Sequence, residues 1–262
     1  MGSTGSLYLM YHELRVPGRS LCCDERGYTR YVICQSDFRA HMDRLRETGL
    51  HGMSVGEALS GENACRGVVL TFDDGCETDL LVAAPLLRQL GFGATFYVVA
   101  GFLGRKGYMS PGQLRELSDL QFEIGCHSMS HAYLTDLEPA GLFTEIIEAK
   151  DRLQQLIGRR VDHLSCPGGR WSVQIACRAR EAGYTSVATS RPGTNCPATD
   201  RFRLARIPMT CEISIAGFDA LCRGKGLFKW RVQEAVLRLA KGMMGNSMYE
   251  KVRASLLRTS QP

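Results

Sequence analysis

Val68-Val69-Leu70-Thr71-Phe72-Asp73-Asp74-Gly75 is an apolar run of strand length that ends on two adjacent carboxylates and a glycine. It reads as a buried strand whose C-terminal end carries chemistry. The same arrangement repeats along the chain. Leu7–Tyr11 is a short apolar strand followed by His12, and Phe122–Cys126 is one followed by His127. His163–Cys166 leads into Pro167-Gly168-Gly169-Arg170, and Gly93–Val99, Tyr184–Ala188 and Leu204–Met209 complete the set. Helical segments alternate with these strands. One runs from Ser36, its expected cap, to Thr48, with Phe38, Met42 and Leu45 on one face and Gly49 as its stop. Others open at Thr78 or Asp79, at Ser110-Pro111, at Pro139 and near residue 172. Residues 12–35 read as a long loop.

Strands of four to seven residues alternating with helices predict a parallel sheet. About seven such units favour a closed or nearly closed α/β barrel over an open doubly wound sheet, and 262 residues is an ordinary barrel length. No GxGxxG or P-loop supports a nucleotide fold. In such a barrel the residues after the strand C-termini converge on one face, which is where His12, Asp73, Asp74, His127, His131 and the Pro167–Arg170 segment all fall.

Those residue types make a metal site with a spare base. His127 and His131 are four apart, which places them on one face if the segment is helical. Two imidazoles and one carboxylate leave open positions, an arrangement common for catalytic zinc. The metal would polarise a carbonyl and lower the pKa of its water, and the remaining aspartate could take that water's proton. A leaving amine needs a general acid, for which His12 is the candidate. Gly168 and its neighbours could bring a backbone N–H to a developing oxyanion. Each feature has a blander reading: Asp-Asp-Gly as a turn, His12 as a loop histidine, Pro-Gly-Gly as a plain strand-to-helix turn with Trp171 packed below it. Their common position after strands argues for the site.

These residues resemble the polysaccharide deacetylase (NodB homology) family, carbohydrate esterase family 4. Thr71-Phe72-Asp73-Asp74-Gly75 is similar to its first motif and His127-Ser128-Met129-Ser130-His131 to its second. The resemblance covers roughly residues 7–210 and implies a distorted (β/α)7 TIM-like barrel. It implies Asp73 as catalytic base and Asp74, His127 and His131 as ligands of a divalent metal, Zn2+ first, with Co2+, Ni2+ or Mn2+ admitted by the same donors. Ser165-Cys166-Pro167-Gly168-Gly169 lies where the third motif falls. Many members have an arginine before that proline and an aromatic after it. This chain has neither, and Arg170 and Trp171 are the expected substitutes. Nor does any histidine follow His163 to serve as the usual C-terminal acid. Leu9-Met10-Tyr11-His12 resembles instead the N-terminal Tyr-His motif of the circularly permuted branch that includes biofilm poly-N-acetylglucosamine deacetylases, which implies His12 as the acid.

The resemblance implies a hydrolase that removes N-acetyl groups from amino sugars of a polysaccharide, oligosaccharide or lipid-linked glycan, with water on the metal as nucleophile. An O-acetyl esterase is the near alternative. A non-catalytic carbohydrate-binding or membrane-associated relative is the distant one.

Composition bounds the setting. With 44% apolar and 23% charged residues, the chain has material for a substantial core. Eleven cysteines without a CxxC pair read as small hydrophobes in a reducing compartment. No leader-like segment opens the sequence, so the expected location is cytoplasmic. Charge divides the chain: eight basic and two acidic residues lie between Lys225 and Arg258, while the remainder is close to neutral. The expected domains are a barrel over residues 1–222 and a basic amphipathic helical tail over 223–262. Two readings of the tail stand: peripheral contact with an anionic membrane at its inner face through residues 225–258, or terminal helices packed on the barrel with a solvated basic face. Nucleic acid is not an expected partner, because no recognition motif is visible.

Overall fold

The computed structural model describes residues 5–61 and 67–225. The basic tail expected over residues 223–262, beyond Lys225, therefore lies outside the described residues. Among the described residues no helix is long and apolar enough to cross a membrane.

The Gly67–Asp74 strand organises the sheet. It pairs in parallel with Ser6–Tyr11 on one side and with Thr95–Val98 on the other. Glu123–Cys126, His163–Ser165 and Ser186–Ala188 follow in parallel order. The sheet then curls back on itself. Ala188 bridges Leu204, and three residues later Ile207–Pro208 pairs with Leu9 and Met10 of the first strand. That makes seven parallel segments in a curled, distorted (β/α)7 barrel. Two additions decorate it: His51–Met53 pairs with residues 67–69, and Thr194–Asn195 runs antiparallel to Ser6 and Leu7.

Alternation along the strands sorts side chains to the two faces. Leu70, Phe72, Phe96, Val98, Ile124 and Leu164 pack outward into the large core beneath the helices. Tyr8, Val69, Tyr97, Ala188 and Leu204 form a smaller core with Met53 and Val55. Thr71 and Asp73 share the parity of Val69, so the strand that is apolar on its outer face presents a hydroxyl and a carboxylate on the other.

The helices follow the expected periodicity with two corrections. The first long helix is Gln35–Glu47, with Phe38, His41, Met42 and Leu45 buried at helical spacing. Ser36 lies inside it, and its N-cap is Cys34, with no side-chain cap bond. The helix from Asp79 begins with a π turn, and Thr78 makes no capping bond there; its hydroxyl instead accepts the Leu14 N–H. Ser110 and Gln113 form a reciprocal capping box for Pro111–Asp119, worth about 1 kcal/mol. The segment 12–35, read as a loop, contains the short helix Arg26–Thr29 and a two-stranded pairing of Leu14–Arg15 with Ile33–Cys34.

Candidate active site

Adjacent strand residues normally point to opposite faces, which would separate Asp73 from Asp74. Asp74 escapes this rule with φ +84°. Both carboxylates then reach the same imidazole: His127 Nε2 lies 3.7 Å from Asp73 Oδ2 and 3.6 Å from Asp74 Oδ1. His131 Nε2 lies 3.4 Å from Asp74 Oδ1.

The two histidines meet through a turn, not along a helix. Residues 127–133 form an irregular loop after the Glu123–Cys126 strand, with φ +69° at Ser128 and +64° at His131. Among the described residues only four non-glycines have positive φ, and three of them are Asp74, Ser128 and His131. Left-handed backbone costs an L-residue roughly 1–2 kcal/mol, so this site stores strain that the surrounding contacts must hold. Glu145 supplies much of that hold. Its buried carboxylate accepts the N–H groups of Met129 and Ser130, each at 2.9 Å, and the Ser130 hydroxyl. Glu145 sits on a π turn, Thr144–Glu148, within the otherwise α-helical stretch from Pro139 to Ile157.

Asp74, His127 and His131 place one ligand atom each within 4.8 Å of one another. Three observations fit a divalent metal. Asp74 Oδ1 is buried without a hydrogen-bond partner. His127 Nδ1 donates to the Ser165 carbonyl at 2.9 Å, which fixes the tautomer and leaves the Nε2 lone pair facing Asp74. Burial lowers the His127 pKa to about 4, with Asp73 partly opposing, so the ring is a neutral donor at pH 7.

Asp73 is held differently. Arg206, fully buried, grips it at two points: Nη1 to Oδ1 at 2.7 Å and Nη2 to Oδ2 at 2.8 Å. The guanidinium also donates to Thr71 Oγ1, Ser165 Oγ and the Thr189 carbonyl. Ser165 Oγ donates in turn to Asp73 Oδ2 at 3.2 Å. Burial raises the Asp73 pKa, but Arg206 and then His127 outweigh it and hold the carboxyl well below the usual carboxylate range.

Arg206 thus occupies the role for which the sequence offered Arg170 and Trp171. Neither is a hydrogen-bond or ion-pair partner of Asp73. Arg170 stacks on the Tyr133 ring, its Cζ 3.6 Å from the centroid, and pairs with Asp136. Trp171 donates its indole N–H to the Phe202 carbonyl at 2.6 Å. Gly168 has φ +61°, and a Cβ there would lie 2.6 Å from Tyr133 Cε1. The aromatic that packs on the third-motif segment is therefore Tyr133, two residues beyond His131.

His12 follows the first strand. Tyr11 pairs with Phe72, so the next step along both strands brings His12 level with Asp73. The ring packs on Tyr31, centroids 5.0 Å apart, and its Nδ1 is buried without a hydrogen-bond partner.

Arg206, Ser165 and Glu145 carry site geometry that the sequence reading did not assign. Arg206 did leave a signal: an arginine inside the apolar stretch Leu204–Met209 is tolerated only if its charge is paired.

Comparison with known proteins bears on the family and the fold. The family model described as polysaccharide deacetylase matches residues 60–187. YxkH of Bacillus subtilis, a candidate polysaccharide deacetylase, is 25% identical over 217 residues, covering 81% of this chain and 74% of that protein. The peptidoglycan-N-acetylglucosamine deacetylase of Bacillus cereus is 30% identical over 124 residues, 47% of this chain and 56% of that protein. The Streptococcus pyogenes deacetylase PplD, solved in complex with acetate, superposes with a TM-score of 0.72 at 24% identity, covering 81% of this chain and 96% of that one. At that identity the superposition establishes the fold. Motifs, relatives and fold converge: residues 60–187 of this chain match the polysaccharide deacetylase family, and the fold is that of a solved deacetylase.

Proposed function

We propose that this protein hydrolyses the N-acetyl group of an N-acetylated amino sugar within a glycan, using a divalent metal held by Asp74, His127 and His131. The observation that carries this reading is the division of labour between adjacent carboxylates. Asp74 faces the two imidazoles with an unpartnered oxygen, while Asp73 is clamped by Arg206 beside the same ring. The substrate class draws on the B. cereus relative, which is named for N-acetylglucosamine in peptidoglycan.

When bound, the metal would polarise the acetyl carbonyl and bring the ionisation of a water to about pH 7. Zn2+ is the proposed occupant, and the same donors accept Co2+, Ni2+ or Mn2+. Asp73 takes the proton of the attacking water, and Arg206 keeps its carboxylate aimed and ionised. His12 gives a proton to the departing amine nitrogen, which could not leave as an amide anion. Gly168 offers backbone N–H at the developing oxyanion, and Arg170, Tyr133 and Trp171 form the wall beside it. We also propose a barrel unit ending near residue 222 and contact of the basic residues 225–258 with an anionic membrane surface.

The test is acetate release, with appearance of a free amine, from N-acetylglucosamine oligomers, with metal content measured on the same samples. Asp73→Asn should keep the metal and lose about 100- to 10,000-fold in turnover. Asp74→Ala should lose the metal. Full activity in both variants, or acetate without free amine, overturns the reading.

A further inference from the structure

Two residues beyond Asp74, a second set of ligand-type side chains converges. Glu13, Cys22 and Cys76 each place a donor atom within 4.8 Å of the others. The two sulfurs are 3.5 Å apart. Tetrahedral zinc with metal–sulfur bonds of about 2.3 Å separates two thiolates by roughly 3.8 Å, so little movement is needed. Glu13 is aimed by its neighbours: its carboxylate accepts the Cys22 N–H at 3.0 Å and the Tyr28 hydroxyl at 2.8 Å. Glycine permits the close packing around Cys22. Gly107, at φ +87°, brings its carbonyl to 3.1 Å from the Cys22 sulfur, where a Cβ would collide.

The acidic groups of this pocket are suited to a bound cation. Glu13 is 1% exposed and has no ion-pair partner among the described residues. Asp79 is fully buried, and neither of its oxygens has a hydrogen-bond partner. Two buried carboxylates beside two cysteines, with no positive side chain paired to them among the described residues, are costly unless protons or a metal neutralise them.

We propose that Glu13, Cys22 and Cys76 form a second metal site, separate from the Asp74–His127–His131 set, with Asp79 as the adjoining carboxylate. Two thiolates and a carboxylate select a thiophilic divalent ion of the zinc type over magnesium or calcium. The site joins segments distant in sequence. Glu13 follows His12 directly, and Cys76 closes the Asp73-Asp74-Gly75 turn. A metal here ties the start of the 12–35 segment to the end of the central strand and fixes the distance between His12 and Asp73. That consequence rests on the proposed roles of His12 and Asp73; the metal binding does not.

Cobalt separates the two sites. The full chain, reduced and freed of metal, is titrated with Co2+. Only a sulfur-ligated ion gives a near-ultraviolet thiolate-to-cobalt charge-transfer band, and the Asp74–His127–His131 set contains no sulfur. The expected result is that band together with a second equivalent of bound cobalt. His131→Ala should lose one equivalent and keep the band, whereas Cys22→Ser, at a half-exposed position, should keep the fold by circular dichroism and lose the band. A reduced wild-type protein with no band overturns the proposal, as does a band unchanged in the Cys22→Ser, Cys76→Ser double variant. So does a Cys22–Cys76 disulfide that, once reduced, still takes up no cobalt.

Discussion

Arg206 and Asp73 meet as a two-point ion pair inside the barrel, 133 residues apart in sequence and joined by contacts of 2.7 and 2.8 Å. The pair spans the seam where the sheet closes, since Arg206 precedes Ile207–Pro208 and Asp73 ends the central strand. The contact that closes the seam therefore also positions Asp73, the proposed base. Arg206→Met should leave Asp73 buried without its counter-charge, costing about 3–5 kcal/mol in stability. Arg206→Lys should restore charge but not the fork, so it should recover stability more fully than turnover, with about a 100-fold turnover deficit from misplacement of the base. Urea denaturation beside acetate release checks both. Equal recovery of both by lysine would show that charge alone matters here.

Much of this was legible in the sequence, for stated physical reasons. Strands that are buried on both faces read as apolar runs, and the chemistry stood out because polar residues followed each run. His12, Asp73, Asp74, His127 and His131 all lie at or just after the C-terminal ends of strands that the structure brings together. Arg206 was not assigned, because an ion pair across the closing seam depends on a register that no local pattern specifies. The turn that joins His127 to His131 was also hidden. The i, i+4 spacing suggests a helix, and only the left-handed residues Ser128 and His131, braced by Glu145, show otherwise. Local periodicity carries no record of strain held by a distant carboxylate.

Glu145 gives the second prediction. It touches no proposed metal ligand by side chain, yet it accepts three hydrogen bonds from Met129 and Ser130, between the two histidines. Glu145→Ala leaves those donors unpaired and removes the brace on a strained loop. Metal affinity should fall about 10- to 100-fold, as for other supporting partners of metal ligands. Competition with a metal chelator measures this, and an unchanged affinity would mean the loop holds its shape without the brace.

His12 is tested by changing the leaving group. An amine leaving from an acetamide needs a proton, whereas the phenolate of an activated aryl acetate does not. His12→Gln should lower amine release from N-acetylglucosamine oligomers by about 100- to 10,000-fold, and aryl acetate hydrolysis far less. Equal losses on both substrates would mean that His12 shapes the site without donating a proton.

The last prediction concerns His41, which anchors the helix Gln35–Glu47 to Ile215–Cys222. Its ring stacks on Phe218 with centroids 4.1 Å apart, and Nδ1 lies 3.2 Å from the Tyr11 hydroxyl. Burial lowers its pKa from 6.5 to about 4, partly opposed by Asp37. The unfolded chain therefore binds a proton at this residue between pH 6.5 and about 4 while the folded protein does not. The stabilisation is complete above pH 6.5 and is lost as pH falls through that window. At about 1.36 kcal/mol per pH unit, the loss is on the order of 3 kcal/mol. His127 titrates in the same range, so the comparison must be with a variant that keeps it. His41→Gln should be less stable than the wild type at pH 7.5, and the deficit should shrink by about 2–3 kcal/mol at pH 4.5. Urea denaturation of both proteins across this range measures the difference. Parallel stability curves would show that His41 titrates alike in the folded and unfolded chains, and that its contact with Phe218 contributes packing without pH dependence.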